Sequence, residues 1–132
     1  QYSQISDVIV QPCPGLVELI EQDKKNASEC KLMLTGYLQP LLEKGVDTIV
    51  LGCTHYPLVK NLINEICGNS VVIMETALPV TEQLQRQLAL HQLINTSNNL
   101  GTTTFYSSKC CETQQALFNH IWQRPLQLNS YP

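Results

Sequence analysis

Aromatic residues make up only 6% of this 132-residue chain and charged residues only 14%, and no apolar stretch approaches the roughly 18 residues of a membrane-spanning helix. No helical membrane span is expected. The opening Gln1-Tyr2-Ser3-Gln4 lacks the basic and apolar segments of a secretory signal, and it lacks an initiating methionine. A start at Gln1 is what a processed or cut piece of a longer chain shows. Basic residues are also scarce: eight Lys and Arg stand against eleven Asp and Glu, for a net charge of −3, and they are scattered instead of forming a stripe. Binding to nucleic acid through phosphate neutralisation has little support. What is abundant is apolar material, 43% of residues, which excludes a disordered chain and suffices for about one compact domain.

The six cysteines have no finger-like spacing, two of them are adjacent, and a chain able to build a core does not need covalent staples. They are read as reduced thiols. Cys30 and Cys67 fall at apolar helical positions and are expected in the core, whereas Cys110 and Cys111 are expected to be ordinary thiols, because adjacent cysteines form a strained bridge. The triplets Asn26-Ala27-Ser28 and Asn95-Thr96-Ser97 match the glycosylation pattern, but in a cytoplasmic chain they are chance matches.

Along the chain, Asp7 to Val10 is a short β-branched run that stops at Gln11-Pro12-Cys13-Pro14, the pattern of a strand giving way to a helix with Pro14 at its first position. Leu16, Val17, Leu19 and Ile20 then recur at helical spacing around Glu18 and Glu21. A second helix is predicted from Ser28 to Lys44, bent or restarted near Gly36 and Pro40 and capped by Gly45. Val46 to Leu51 reads as a strand covered on both faces, and Val71 to Met74 repeats the pattern after a helix through Leu58 to Ile66. Pro79 opens another amphipathic helix, Thr102 to Tyr106 is β-prone, and a last helix is predicted from Glu112 to Trp122. The order β-α-α-β-α-β-α-β-α predicts an α/β fold with a mostly parallel sheet and flanking helices. In such sheets sites form outside the carboxyl ends of the strands.

Gly52-Cys53-Thr54-His55-Tyr56-Pro57 lies at such an end. Gly52 permits close approach, Cys53 ends the strand, and the following helix is expected to aim unpaired N–H groups at the thiol. An imidazole two residues on, His55, gives that thiol a local acid/base partner, so Cys53 is suited to proton transfer near neutral pH. Cysteine is more often an inert buried hydrophobe, and only the whole string makes the chemical reading specific. Glu18 and Glu21 on their own read as the solvated face of a helix, and His91 and His120 as surface or capping residues. Cys13 opens the Glu21 helix, which places it for electrostatic activation, although a structural role fits it better.

The segment Gly45-Val46-Asp47-Thr48-Ile49-Val50-Leu51-Gly52-Cys53-Thr54-His55-Tyr56-Pro57-Leu58 resembles the signature around the second catalytic cysteine of glutamate racemases, the cofactor-independent enzymes that make D-glutamate for peptidoglycan. Cys13-Pro14 with Val17 and Glu21 is similar to the family's acidic-helix motif, Tyr37 to Leu42 fits the segment before the signature, and Thr104-Phe105-Tyr106 with Phe118 and Trp122 resembles its C-terminal end. Two stretches depart from the pattern: Met74-Glu75-Thr76-Ala77 stands where an Asp-Ser-type pair is usual, and Ser107-Ser108-Lys109-Cys110 replaces a Thr-Gly-Asp-type turn.

The resemblance implies the C-terminal half of a two-lobed racemase fold. Residues 1–70 would be part of the second lobe, with the catalytic cysteine turn, and 71–132 the segment that completes the first. It implies that Cys53 is one of two thiols flanking the substrate α-carbon, on the face from which the L-enantiomer's proton is taken. His55 would be the auxiliary acid/base, Glu21 an assistant near the substrate ammonium, and Thr54 the holder of the substrate carboxylate. No cofactor and no metal are implied, and stabilising the carbanion falls to preorganised donors. The implied partners are glutamate and the missing N-terminal half, in the cytoplasm, without nucleic acid or membrane. Without the opposite thiol the isolated chain is expected not to racemise, and apolar surface left open on its last two strands favours association, self-association included. Competing readings are a racemase of aspartate or another carboxylate substrate, a non-catalytic racemase-like binding module, and a zinc site at Cys53 and His55, for which two ligands one residue apart cannot close a tetrahedron.

Overall fold

The computed structural model describes residues 6–22, 28–97, 99 and 101–131. Asn26 and Ala27 of the first glycosylation triplet lie outside them; in the second, the Ser97 N–H donates to Asn95 Oδ1 at 2.9 Å, the turn such a sequence favours. The elements run α1 (Leu16–Glu21), α2 (Ser28–Glu43), β1 (Thr48–Leu51), a single 3₁₀ turn (Tyr56–Val59), α3 (Lys60–Cys67), a second 3₁₀ turn (Gly68–Ser70), β2 (Val72–Glu75), α4 (Ala77–Leu90), β3 (Phe105–Ser107), α5 (Glu112–Trp122) and β4 (Leu128–Ser130). Helices alternate with parallel strands, as the α/β expectation has it. The strands form two separate two-stranded parallel sheets, β1 with β2 and β3 with β4. The chain divides into two compact units, Gln1–Ile20 with Lys24–Thr76, and Glu21–Asp23 with Ala77–Pro132.

In the first unit, α1, α2 and α3 bury Leu16, Leu19, Ile20, Leu34, Leu38, Ile63, Cys30 and Cys67 together with Leu51 and Val71. Cys30 and Cys67 thus occupy the core positions expected of them. Gly15, at φ 81° ahead of α1, supplies a backbone conformation that L side chains rarely adopt, and a Cβ there would lie 3.4 Å from the Met33 methyl. Helix α2 runs unbroken through Gly36 and Pro40, contrary to the expected restart. The amide missing at Pro40 would have bonded the Gly36 carbonyl, and both residues are exposed, so water can satisfy that acceptor. The helix ends as predicted at Gly45, whose φ of 76° permits the paired bonds Gly45 N–H to Leu42 O (2.9 Å) and Val46 N–H to Leu41 O (3.2 Å).

Strands β1 and β2 pair in register from Thr48 with Val72 to Leu51 with Glu75. Side chains alternate, so Ile49, Leu51 and Ile73 turn toward the core and Val50 (60% exposed), Val72 (60%) and Met74 (49%) turn away from it. The expectation of a strand covered on both faces is corrected here: only one face of this sheet is covered. The predicted strand at Asp7 to Val10 is also absent. Val8 and Val10 are exposed, and without a neighbouring strand their backbone groups have no ladder to join.

In the second unit, α4 begins at Ala77, two residues before Pro79, which sits within the first turn where a missing N–H costs nothing. None of its residues is buried, and Leu78, Val80, Leu84 and Leu90 are exposed. Strand β3 is shorter and later than the predicted 102–106 stretch. Its partner β4 has no apolar run to announce it. Polar side chains hold that strand: Gln115 donates to Leu126 O (2.8 Å) and accepts from Leu128 N–H (3.1 Å), while Asn119 accepts from Leu126 N–H (3.0 Å). Phe105 meets Trp122 edge-on at 5.0 Å, and Arg124 lies over the Trp122 ring.

Candidate active site

Strand β1 delivers the chain to Gly52 and Cys53 at its carboxyl end, where the two-stranded ladder stops and the backbone turns. The Tyr56 N–H closes that turn on the Cys53 carbonyl (3.2 Å), and Leu58 N–H to His55 O (3.0 Å) starts the 3₁₀ turn, with Pro57 at its beginning. The geometry places Cys53 Sγ 3.8 Å from His55 Nδ1, both side chains half-buried. Which atom donates is set by the imidazole tautomer. Thr54 is exposed between them, and a Cβ added at Gly52 would meet nothing within 4 Å.

One expectation about this turn needs correcting. The α-helix that was to point its N-terminus at Cys53 starts only at Lys60, and the intervening single 3₁₀ turn uses the Tyr56 N–H on Cys53's own carbonyl. The partner within reach of the sulfur is the imidazole, not a helix end. Lys60, at that later helix start, pairs with Glu75 at the carboxyl end of β2 and ties α3 to the sheet end.

Two tyrosines, read in the sequence only as punctuation and as a family match, belong to the surroundings of the thiol. The Cys13 thiol donates to the Gln11 carbonyl at 3.6 Å, and Cys13 is an electrostatic neighbour of the Tyr56 hydroxyl. The Tyr37 hydroxyl donates to the Pro14 carbonyl at 2.6 Å. Burial, followed by the charge and hydrogen bond of Cys13, pushes the Tyr56 hydroxyl up to about 12. Burial also pushes the Cys13 thiol up, with only the Tyr56 hydrogen bond opposing it, so Cys13 is the reverse of an activated thiol. A half-buried tyrosine next to His55 was the available signal, since a buried phenol needs a partner for its hydroxyl.

Glu21 closes α1, half-buried, and is grouped with the second unit. Two open clefts of about 410 and 480 Å³ belong to that same unit, one lined by Cys110, Cys111, Gln115 and Asn119, the other by Phe105, Trp122 and Arg124; the Cys53 turn lines neither. Cys110 and Cys111 are free and exposed. Hydrogen bonds from the Thr113 hydroxyl and the Gln114 backbone N–H pull the Cys111 thiol down. Among the described residues no group of three or more His, Cys, Asp or Glu side chains is placed to hold a metal ion, and no helix is long and apolar enough to cross a membrane.

No protein-family model matches the chain. Curated relatives do. It is 44% identical over 110 residues to the glutamate racemase of Ectopseudomonas mendocina, a match covering 83% of this chain and 41% of that protein. It is 39% identical over 124 residues to the glutamate racemase of Pseudomonas putida F1, covering 94% and 46%. Among solved structures, the glutamate racemase of Francisella tularensis in complex with D-glutamate aligns with a TM-score of 0.81 at 25% identity, over 92% of this chain and 46% of that one. Isoform RacE1 from Bacillus anthracis aligns with a TM-score of 0.85 over 98% and 48%, and at 21% identity that likeness speaks to the fold. The chain is thus similar in sequence and fold to glutamate racemases, and it spans a little under half the length of the relatives it matches.

Proposed function

We infer that this chain is the C-terminal half of a glutamate racemase and contributes one of the two thiols that move the substrate's α-proton, in a cytoplasmic enzyme supplying D-glutamate for the cell wall. The observation that carries the reading is the 3.8 Å approach of Cys53 Sγ to His55 Nδ1 at the open carboxyl end of a parallel strand, within a sequence so similar to racemases. Inverting a stereocentre needs a base on one face and an acid on the other, and a thiol serves in either capacity as its proton comes and goes. Cys53 takes the proton of L-glutamate or returns it. His55 exchanges a proton with the sulfur, so that the thiol is reset between turnovers. Thr54, exposed beside them, holds the substrate carboxylate, and Glu21 assists near the ammonium.

Residues 1–70 are assigned to the lobe carrying the Cys53 turn and 71–132 to the segment completing the other lobe, with β2 remaining paired to β1 at the junction. The partner is the rest of the racemase chain. The uncovered face of Val50, Val72 and Met74, and the exposed apolar residues of α4, supply apolar surface for it.

Solvent deuterium incorporation into glutamate by the full-length parent tests the proposal. Cys53→Ser is expected to slow incorporation from the L-side by about 10²- to 10⁴-fold, and His55→Asn by less. An unchanged rate in Cys53→Ser overturns the assignment, and incorporation into aspartate in place of glutamate reassigns the substrate.

A further inference from the structure

The loop that carries Cys53, Thr54 and His55 begins and ends on one residue of the neighbouring strand. Glu75 forms the last rung of the β1–β2 ladder, opposite Leu51, so its backbone fixes where the loop leaves the sheet. Its carboxylate pairs with the ammonium of Lys60, the first residue of α3, where the loop enters the helix. Residues 52–59 are thus strung between the backbone of Glu75 and its side chain.

We propose that Lys60 and Glu75 are positioning residues, whose ion pair sets the width of the loop that holds the Cys53 thiol against His55. The inference rests on Cys53 and His55 acting as a proton-transferring pair. Val59, Ile63 and Cys67 seat α3 on the core of the first unit. Such apolar contact is non-directional, and it resists lifting of a helix more than sliding along its axis. A charge pair between the start of α3 and the end of the sheet resists the sliding. The Lys31–Glu65 pair ties α3 to α2 further along, but there both side chains are more than half exposed. Lys60 and Glu75 are 38% and 29% exposed, so salt and water screen them less. The His55 ring has a further contact of its own, and the clasp acts on where the loop begins and ends. A misplacement of about 1 Å is enough to cost a reacting pair roughly 10²-fold.

The test uses the full 132-residue chain. Iodoacetamide alkylation of Cys53, resolved by mass spectrometry, is followed against pH, and the part of the profile that His55→Asn abolishes is the paired component. Lys60→Met and Glu75→Gln are each expected to reduce that component about threefold, as loss of one half-buried ion pair allows, and Lys60→Arg is expected to retain it. The two variants remove opposite charges, so a direct field on the thiol would displace the profile in opposite directions, whereas a broken clasp lowers the paired component in both. Opposite displacements overturn the proposal, and so does a wild-type profile in either variant with its circular dichroism unchanged. If His55→Asn itself leaves the profile untouched, it is the pairing of thiol and imidazole that fails. The clasp is then decided by exchange of the Tyr56 and Leu58 amides, which bond Cys53 O and His55 O within the loop. Exchange about threefold faster in both variants upholds it, and unchanged exchange refutes it.

Discussion

Two neighbouring residues of β1 should respond to truncation to very different degrees, because the strand has one covered face. Leu51 is 2% exposed and packs among Val59, Ile63 and the helices of the first unit. Leu51→Ala removes buried carbons and leaves a cavity, at a cost of about 2–5 kcal/mol. Val50, one residue earlier, is 60% exposed. With less than half of its surface withdrawn from water, and full burial of a valine worth about 1.5–3 kcal/mol, Val50→Ala should cost about 1 kcal/mol or less. Urea unfolding of the 132-residue chain followed by circular dichroism reads both, at constant slope.

The same pair measured in a full-length parent separates covered from uncovered. If the rest of the protein seats on the Val50, Val72 and Met74 face, the cost of Val50→Ala should rise by about 1 kcal/mol while that of Leu51→Ala stays put. Equal destabilisation by the two variants in the isolated chain would mean that the outer face is covered already, and the one-sided sheet would be refuted.

Other consequences can be measured directly. Phenolate absorbance should show Tyr56 ionising near pH 12 in the folded chain, and Cys13→Ala should lower that value, since Cys13 contributes both charge and a hydrogen bond. The sign for stability follows: a hydroxyl raised in the folded state contributes fully below the unfolded value near 10 and loses that contribution as pH climbs through about 12. Iodoacetamide at neutral pH should label exposed Cys111 well before Cys30 and Cys67, whose thiols burial pushes up; faster labelling of Cys30 or Cys67 would show that the first unit opens readily. Gln115→Leu removes both bonds that hold the backbone at Leu126 and Leu128, and should destabilise the β3–β4 pairing by about 2 kcal/mol, visible as faster exchange of the Leu128 amide.

Periodicity and caps reveal most of the helices before any coordinates. Gly45 closes α2 and Glu112 to Trp122 forms α5 because the signals there are local: a left-handed glycine and an apolar stripe. The strands were less legible, since a strand is a property of its neighbour. Asp7 to Val10 has the β-branched composition but no partner, whereas Leu128-Asn129-Ser130 lacks the composition but pairs with β3 through the Gln115 and Asn119 clamp. At the site, Cys53 and His55 could be placed together because they are two residues apart on one turn. The Tyr37 hydroxyl on the Pro14 carbonyl spans two separated segments, and no spacing rule reaches across them.

Chirality sets a sharper limit on the proposed role of Cys53. A thiol and an imidazole on a single turn approach a bound α-carbon from one side only, and a proton removed there and returned there restores the same enantiomer. Inversion requires a donor on the opposite face, fixed at the same time against the same carbon. If Cys53 acts as proposed, the isolated chain supplied with glutamate in deuterated solvent should be limited to exchange with retention. On the proposed reading, adding the remainder of a full-length parent as a separate chain should give D-glutamate formation and exchange together. D-glutamate formed by the 132 residues alone would mean that a second acid already stands across from Cys53, and the division of labour between two halves would have to be abandoned.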